Sequence, residues 1–241
     1  MKLLKILFAL ILLFIIAVIL ILGYFGFIPG LSTVLGADKP KDLGVRFTQA
    51  DWQAGRNKSQ VKWATLPGNT PVSKSLQYSG QVTVNKPFTN EEMSALMNNR
   101  PWRYYPVKSV QIKFNTDGTA EVSGLFIKNR AIGFLNVFGV PKEAIDYIEK
   151  TLSILPSDIP FYIKGKGALT GNKVSVAELY DLQIGRLPAP VQQVNQYKGE
   201  IISLIDGYIE SVTGFFAKDA HFEEGKLVFD GTLAETESVL K

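Results

Sequence analysis

The sequence predicts an α+β chain: an N-terminal transmembrane helix, then an antiparallel sheet packed on a long amphipathic helix and two short helices. Three observations predict it. Residues 6–37 carry no charge. Short segments of alternating polarity, punctuated by glycine turns, recur through the rest of the chain. One long stretch, Arg186 to Phe216, follows a helical period instead.

The opening MKLLKILFALILLFIIAVILILGYFGFIPG has lysines only at Lys2 and Lys5 and is apolar on every side. About 20 such residues, at about 1.5 Å each, cross a hydrocarbon core of about 30 Å. The apolar region of a cleaved signal peptide is shorter, about 7–15 residues. The expected organisation is a transmembrane anchor over 1–30, a juxtamembrane linker over 31–56, an extracytoplasmic α+β domain over 57–235 and a C-terminal tail over 236–241. Lys2 and Lys5 favour a cytoplasmic N-terminus, while Lys39 and Lys41 oppose it from farther away. The expected location is therefore a bacterial cell membrane, single-pass, with the body outside the cytoplasm and the lipid bilayer as a partner.

After the linker, KSQVKWATL reads as a short strand, and LGVRFTQADW before it as an early strand or short helix. SLQYSGQVTVNKPF is a strand with Val82 and Val84 on one side. In FTNEEMSALMNN, Thr89 and Glu92 have capping-box spacing, and Met93, Leu96 and Met97 form the apolar side of a short helix. VKSVQIKFNTDGTAEVSGLF is a hairpin turning at Asp117-Gly118. PKEAIDYIEKTLSIL is a second short helix, two more strands meet around Thr170 to Lys173, and HFEEGKLVFDGTL closes the body as a last hairpin.

The stretch RLPAPVQQVNQYKGEIISLIDGYIESVTGFF starts with Pro188 and Pro190, tolerated at a helix front. On a helical wheel Val191, Val194, Ile201, Ile202, Ile205, Ile209, Val212 and Phe216 share one side, widened by Tyr197, Leu204, Tyr208 and Phe215. Lys198 and Gly199 interrupt that face, and a bend there is one outcome. The face either covers a sheet or lines a lipid-sized groove. In the second case Val194, Ile201, Ile205, Ile209 and Val212 are the lining. The aromatic and basic run PWRYYP offers Trp102 and Tyr105 as rim residues, with ordinary packing as the rival reading.

Several chemistries lack their residues. The chain has no cysteine, which removes disulfides, thiol nucleophiles and cysteine metal sites. His221 is the sole histidine and sits in a polar hairpin, where it is expected to face solvent. KGKGALTGNKVSV fails the phosphate-loop pattern and reads as a hairpin with glycine turns. No metal, no cofactor and no catalysis are expected. Residues 1–41 hold four basic and one acidic residue, leaving 22 basic and 21 acidic for the body, so no nucleic-acid footprint is expected either.

Three segments carry a family resemblance: Phe88-Thr89-Asn90-Glu91-Glu92 running on to Asn98, Ile184-Gly185-Arg186-Leu187-Pro188-Ala189-Pro190, and Glu224 to Gly231. In their order over residues 75–232 the chain resembles YpmS-like membrane-anchored bacterial proteins, and distantly the AsmA-like and tubular lipid-binding group. That resemblance implies a curved sheet wrapped around helices, with a groove for lipid or another acyl-bearing cargo. The leading expectation is a membrane-anchored extracytoplasmic protein that binds or shields lipid or an acyl-linked envelope component without catalysis. Its rival is a structural or protein-interaction module of the envelope with no lipid cargo, its protein partner unknown.

Overall fold

The computed structural model describes the backbone of residues 2–26, 28, 30–138, 140–153 and 158–241. The chain is α+β, with a curved antiparallel half-barrel and helices. It opens with helices α1 (Lys2–Tyr24), α2 (Leu31–Val34) and α3 (Gln49–Ser59). Strands β1 (Lys62–Thr65), β2 (Leu76–Ser79) and β3 (Val82–Phe88) follow, then α4 (Asn90–Asn98). The hairpin β4 (Val107–Phe114) and β5 (Ala120–Phe126) leads into α5 (Lys128–Val137) and α6 (Lys142–Ser153). Two long strands, β6 (Ile159–Thr170) and β7 (Lys173–Ile184), and the short β8 (Leu187–Pro188) precede α7 (Val191–Gln196) and α8 (Lys198–Ser211). The chain closes with β9 (Phe216–Glu223), β10 (Lys226–Leu233) and β11 (Thr236–Val239).

The expected membrane anchor is corrected here. Among the described residues, no helix is long and apolar enough to cross a membrane. In α1 the described side chains are those of residues 13–24. The side chains of residues 1–12, on which the expected span also drew, lie outside the described residues. The single-pass topology, the cell-membrane location and the bilayer partnership rested on that span, and they fall with it.

Two boundaries also move. The stretch 31–56, expected as linker, contains most of α3, which starts in a capping box: Thr48 accepts from the Asp51 amide and Asp51 accepts from the Thr48 amide. The expected tail 236–241 contains β11, the middle strand of a three-stranded sheet ordered β1-β11-β2. Val239 at its end is wholly buried. β11 runs parallel to β1 and antiparallel to β2.

The larger sheet has eight strands, ordered β3-β10-β9-β6-β5-β4, with β7 added on β6 and β8 on β7. Strand β6 makes the curve. One edge pairs with β7 along nearly its whole length. The other edge holds β5 over Ile159–Gly165 and then β9 over Ala168–Thr170. Two wings therefore leave the same edge of β6 and must diverge. Beside that split Phe114 of β4 stacks on Phe222 of β9 with ring centroids 5.1 Å apart.

The two wings end in the free edges of β4 and β3, and such edges invite unwanted strand pairing. Helices close both. In α4, Asn90, Ser94 and Asn98 lie on one stripe at i, i+4 and i+8. Their oxygens accept from alternate β4 amides: Phe114 N to Asn90 Oδ1 at 2.7 Å, Ile112 N to Ser94 Oγ at 2.9 Å and Val110 N to Asn98 Oδ1 at 2.9 Å. The match is metric, because four helical residues rise about 6 Å and two strand residues about 6.6 Å. On the opposite edge Lys58 Nζ donates to Pro87 O at 2.9 Å, and Gln60 donates to Thr83 O at 3.4 Å. Lys58 also pairs with Glu92 at 2.7 Å, tying the two edge-closing helices together.

The apolar side of α4 fills the space between the wings. Met93 and Leu96 pack against Val84, Phe88, Ala217, Ala220 and Phe229 of one wing. Met93 and Met97 pack against Val110, Ile112 and Phe114 of the other. One face of α4 thus supplies hydrogen bonds and the adjoining face supplies core, which is why so short a helix is stable here.

Candidate functional site

The stretch 186–216 is not one helix. It breaks at Tyr197, whose backbone (φ −98°, ψ 16°) departs from helical geometry. The residue pair Lys198-Gly199 that weakens the apolar face starts the second segment. Helix α8 is fastened at three places. Asp206 Oδ1 accepts from Val174 N at 2.8 Å on the edge strand β7. Glu210 pairs with Lys173. Tyr208 stacks on Phe138 with centroids 4.4 Å apart and bonds Tyr78, hydroxyl to hydroxyl, at 3.0 Å.

Under α7 and α8 lie three apolar chambers in a row. Val194 and Ile201 line the first, of about 320 Å³, against β5, β6 and β7. Ile205 lines the second, of about 580 Å³, against α4, β9 and β10. Ile209 and Val212 line the third, of about 330 Å³. The second and third share Met93, Leu96 and Phe215 as common walls. The five residues singled out by helical periodicity border these three spaces, with Ile201 and Ile205 at the margin, 40% and 41% exposed.

Trp102 and Tyr105 are in another place from the one expected. Trp102 is 3% exposed and Tyr105 7%, both in a core with Leu76 and Val239. Trp102 Nε1 donates to Ser75 Oγ at 3.1 Å, and Tyr105 Oη donates to Met97 Sδ at 3.2 Å. Burial pushes the Tyr105 phenol up to about 12. They are packing residues and do not form a rim.

The third chamber holds polar groups that sequence reading missed. Trp63, Glu237 and Tyr78 stand abreast across β1, β11 and β2, in register. Glu237 accepts two hydrogen bonds from the Arg100 guanidinium, each 2.5 Å. Burial works against the Arg100 charge, but the Glu237 carboxylate outweighs it and keeps Arg100 firmly protonated. Burial, with the Tyr208 hydroxyl beside it, pushes the Tyr78 phenol well above its ordinary range. Arg56 of α3 lies over the Trp63 ring, 4.3 Å from its centroid, and 5.7 Å from that of Trp52. Glu237 lay in the expected tail and Arg56 in the expected linker. The Thr48-Asp51 capping spacing was the sequence signal that could have placed Arg56 on a helix.

Among the described residues, no group of histidines and carboxylates is placed to hold a metal ion. His221 Nδ1 lies 2.8 Å from Asp219 and its Nε2 3.5 Å from Glu223, neighbours one residue removed on the same strand.

From the margin of the first chamber, where Ile201 lies, an apolar strip continues outward. Tyr197, Ile201 and Leu204, at i, i+4 and i+7, are 62%, 40% and 74% exposed. The apolar face of the helix is therefore wider than the sheet beneath it. Compared with known proteins, the chain matches no family model, no curated protein and no solved structure.

Proposed function

We propose that this chain is a non-catalytic protein-interaction module that presents the outer strip of α8 to a partner helix. The membrane-anchored, lipid-shielding reading required a bilayer span that no helix of the described residues provides. The observation that carries the proposal is the exposed row Tyr197, Ile201 and Leu204. Its i, i+4, i+7 spacing is the one with which helices pack on helices. The fastening of α8 through Asp206, Glu210 and Tyr208 supports it, because a strip held rigid loses little freedom on binding. Burying a side chain such as Leu204 fully contributes about 1.5–3 kcal/mol before the costs of association.

The test is site-specific photo-crosslinking in the native cell. A cross-linker at Leu204 is expected to give one discrete protein adduct. The double substitution Tyr197→Asp with Ile201→Asp removes that adduct, and a cross-linker at the exposed Lys226 does not form it. The same adducts from both positions would defeat the proposal. So would natively purified protein that carries an acyl-bearing molecule at one-to-one stoichiometry.

A further inference from the structure

The chamber between the small sheet, α3, α4 and α8 has one more cation than it has carboxylates. Arg100 and Arg56 both line it, with Glu237 as the sole acidic residue on its walls. The charge of Arg100 is already paired, its Nη2 donating to both oxygens of Glu237. Arg56 is not matched. Its guanidinium carbon lies over the Trp63 ring, 4.3 Å from the centroid, and among the described residues it has no carboxylate partner. Stacking uses the face of a guanidinium and leaves its in-plane N–H donors free to grip a carboxylate in two-point fashion.

The rest of the chamber is mainly apolar, with Leu96, Ile209 and Phe215 among its walls beside Trp63. Its volume of about 330 Å³ falls at the small end of ligand-binding cavities, where an apolar lining and a few convergent polar groups set orientation. We propose that this chamber binds a compact organic monocarboxylate with a planar apolar body. The carboxylate sits on Arg56, and the body lies between Trp63 and the apolar wall. A dianion is disfavoured, since Glu237 has already neutralised the second guanidinium. A neutral apolar molecule would leave the Arg56 donors unmatched. This site does not rest on the partner-binding strip of α8, and either can fail without the other.

The experiment is a titration of the whole chain with 3-phenylpropionate and with 3-phenylpropan-1-ol, which differ at the carboxylate. It is followed through the indole N–H resonances of the three tryptophans. Trp63→Phe assigns the reporting signal, and amide dispersion verifies that each variant is folded. The carboxylate is expected to shift the Trp63 signal saturably and to bind at least about ten-fold tighter than the alcohol. Arg56→Gln removes that advantage and leaves alcohol binding unchanged. Lys62→Gln, a charge change at an exposed lysine paired with Glu235, leaves carboxylate binding intact. Equal affinity for the two probes, unchanged carboxylate affinity in Arg56→Gln, or no saturable shift at Trp63 would each overturn the proposal.

Discussion

Ser94→Ala tests the way the half-barrel is closed. Ser94 is fully buried and its Oγ accepts from the Ile112 amide at 2.9 Å. Replacing it with alanine removes one oxygen and leaves that amide without a partner, in a place water cannot reach. An orphaned buried donor costs about 1–3 kcal/mol. Alanine is the better helix former by about 0.5 kcal/mol, which offsets part of the loss. The net expectation is about 0.5–2.5 kcal/mol, and for a chain of this size each kcal/mol lowers Tm by about 2–4 °C. Urea unfolding supplies the free energy. Amide hydrogen exchange supplies the location, because Ile112 should lose protection while Gln111 and Lys113, whose amides face β5, keep theirs. An unchanged urea midpoint with Ile112 still fully protected would refute the claim that α4 side chains stand in for a strand. Removing Asn90, Ser94 and Asn98 together should bare the edge and cause concentration-dependent association.

Three further outcomes are expected. Glu237→Gln leaves Arg100 charged and unmatched beside the small sheet, so stability should fall by about 3 kcal/mol in urea unfolding, and Arg100→Met combined with Glu237→Leu should recover part of it. Glu121 accepts from Tyr162 at 2.7 Å and from Asn115 at 3.1 Å. Desolvation raises its pKa, but these bonds outweigh it and hold the carboxyl below the ordinary range. The stabilisation is therefore present above the unfolded value, about 4.3, and is lost as pH falls through the lower folded value. Acid titration of stability should show this slope in the native chain and not in Glu121→Gln. Gly214 has φ +82°, and a Cβ there would lie 2.1 Å from the Gly80 carbonyl oxygen. Gly214→Ala should cost more than about 2 kcal/mol by thermal or urea unfolding, since backbone has to move as well as adopt a strained conformation.

Local chemistry was legible where it stays local. The capping box at Thr89 and Glu92 starts α4, and the Asp117-Gly118 turn joins β4 to β5. What a polar side chain on a helix will bond was not legible. Asn90, Ser94 and Asn98 look like solvent-facing residues in FTNEEMSALMNN, and become edge partners when β4 is laid beside them. Trp102 and Tyr105 look like a surface aromatic run until Leu76 and Val239, distant in sequence, cover them.

The sequence by itself determined the alternation of the strands, the turns, the capped start of α4 and which side of residues 191–212 is apolar. These depend on dihedral preference and on periods of two and 3.6 residues, which neighbours along the chain express. The tertiary structure decided that the apolar side of α7–α8 overhangs three chambers and leaves an outer strip exposed. It decided that residues 236–239 lie between β1 and β2, and that Arg56 and Glu237 share a cavity. Those outcomes depend on which distant surfaces meet. No local preference encodes that meeting, because it follows from the divergence of two wings at a single edge of β6.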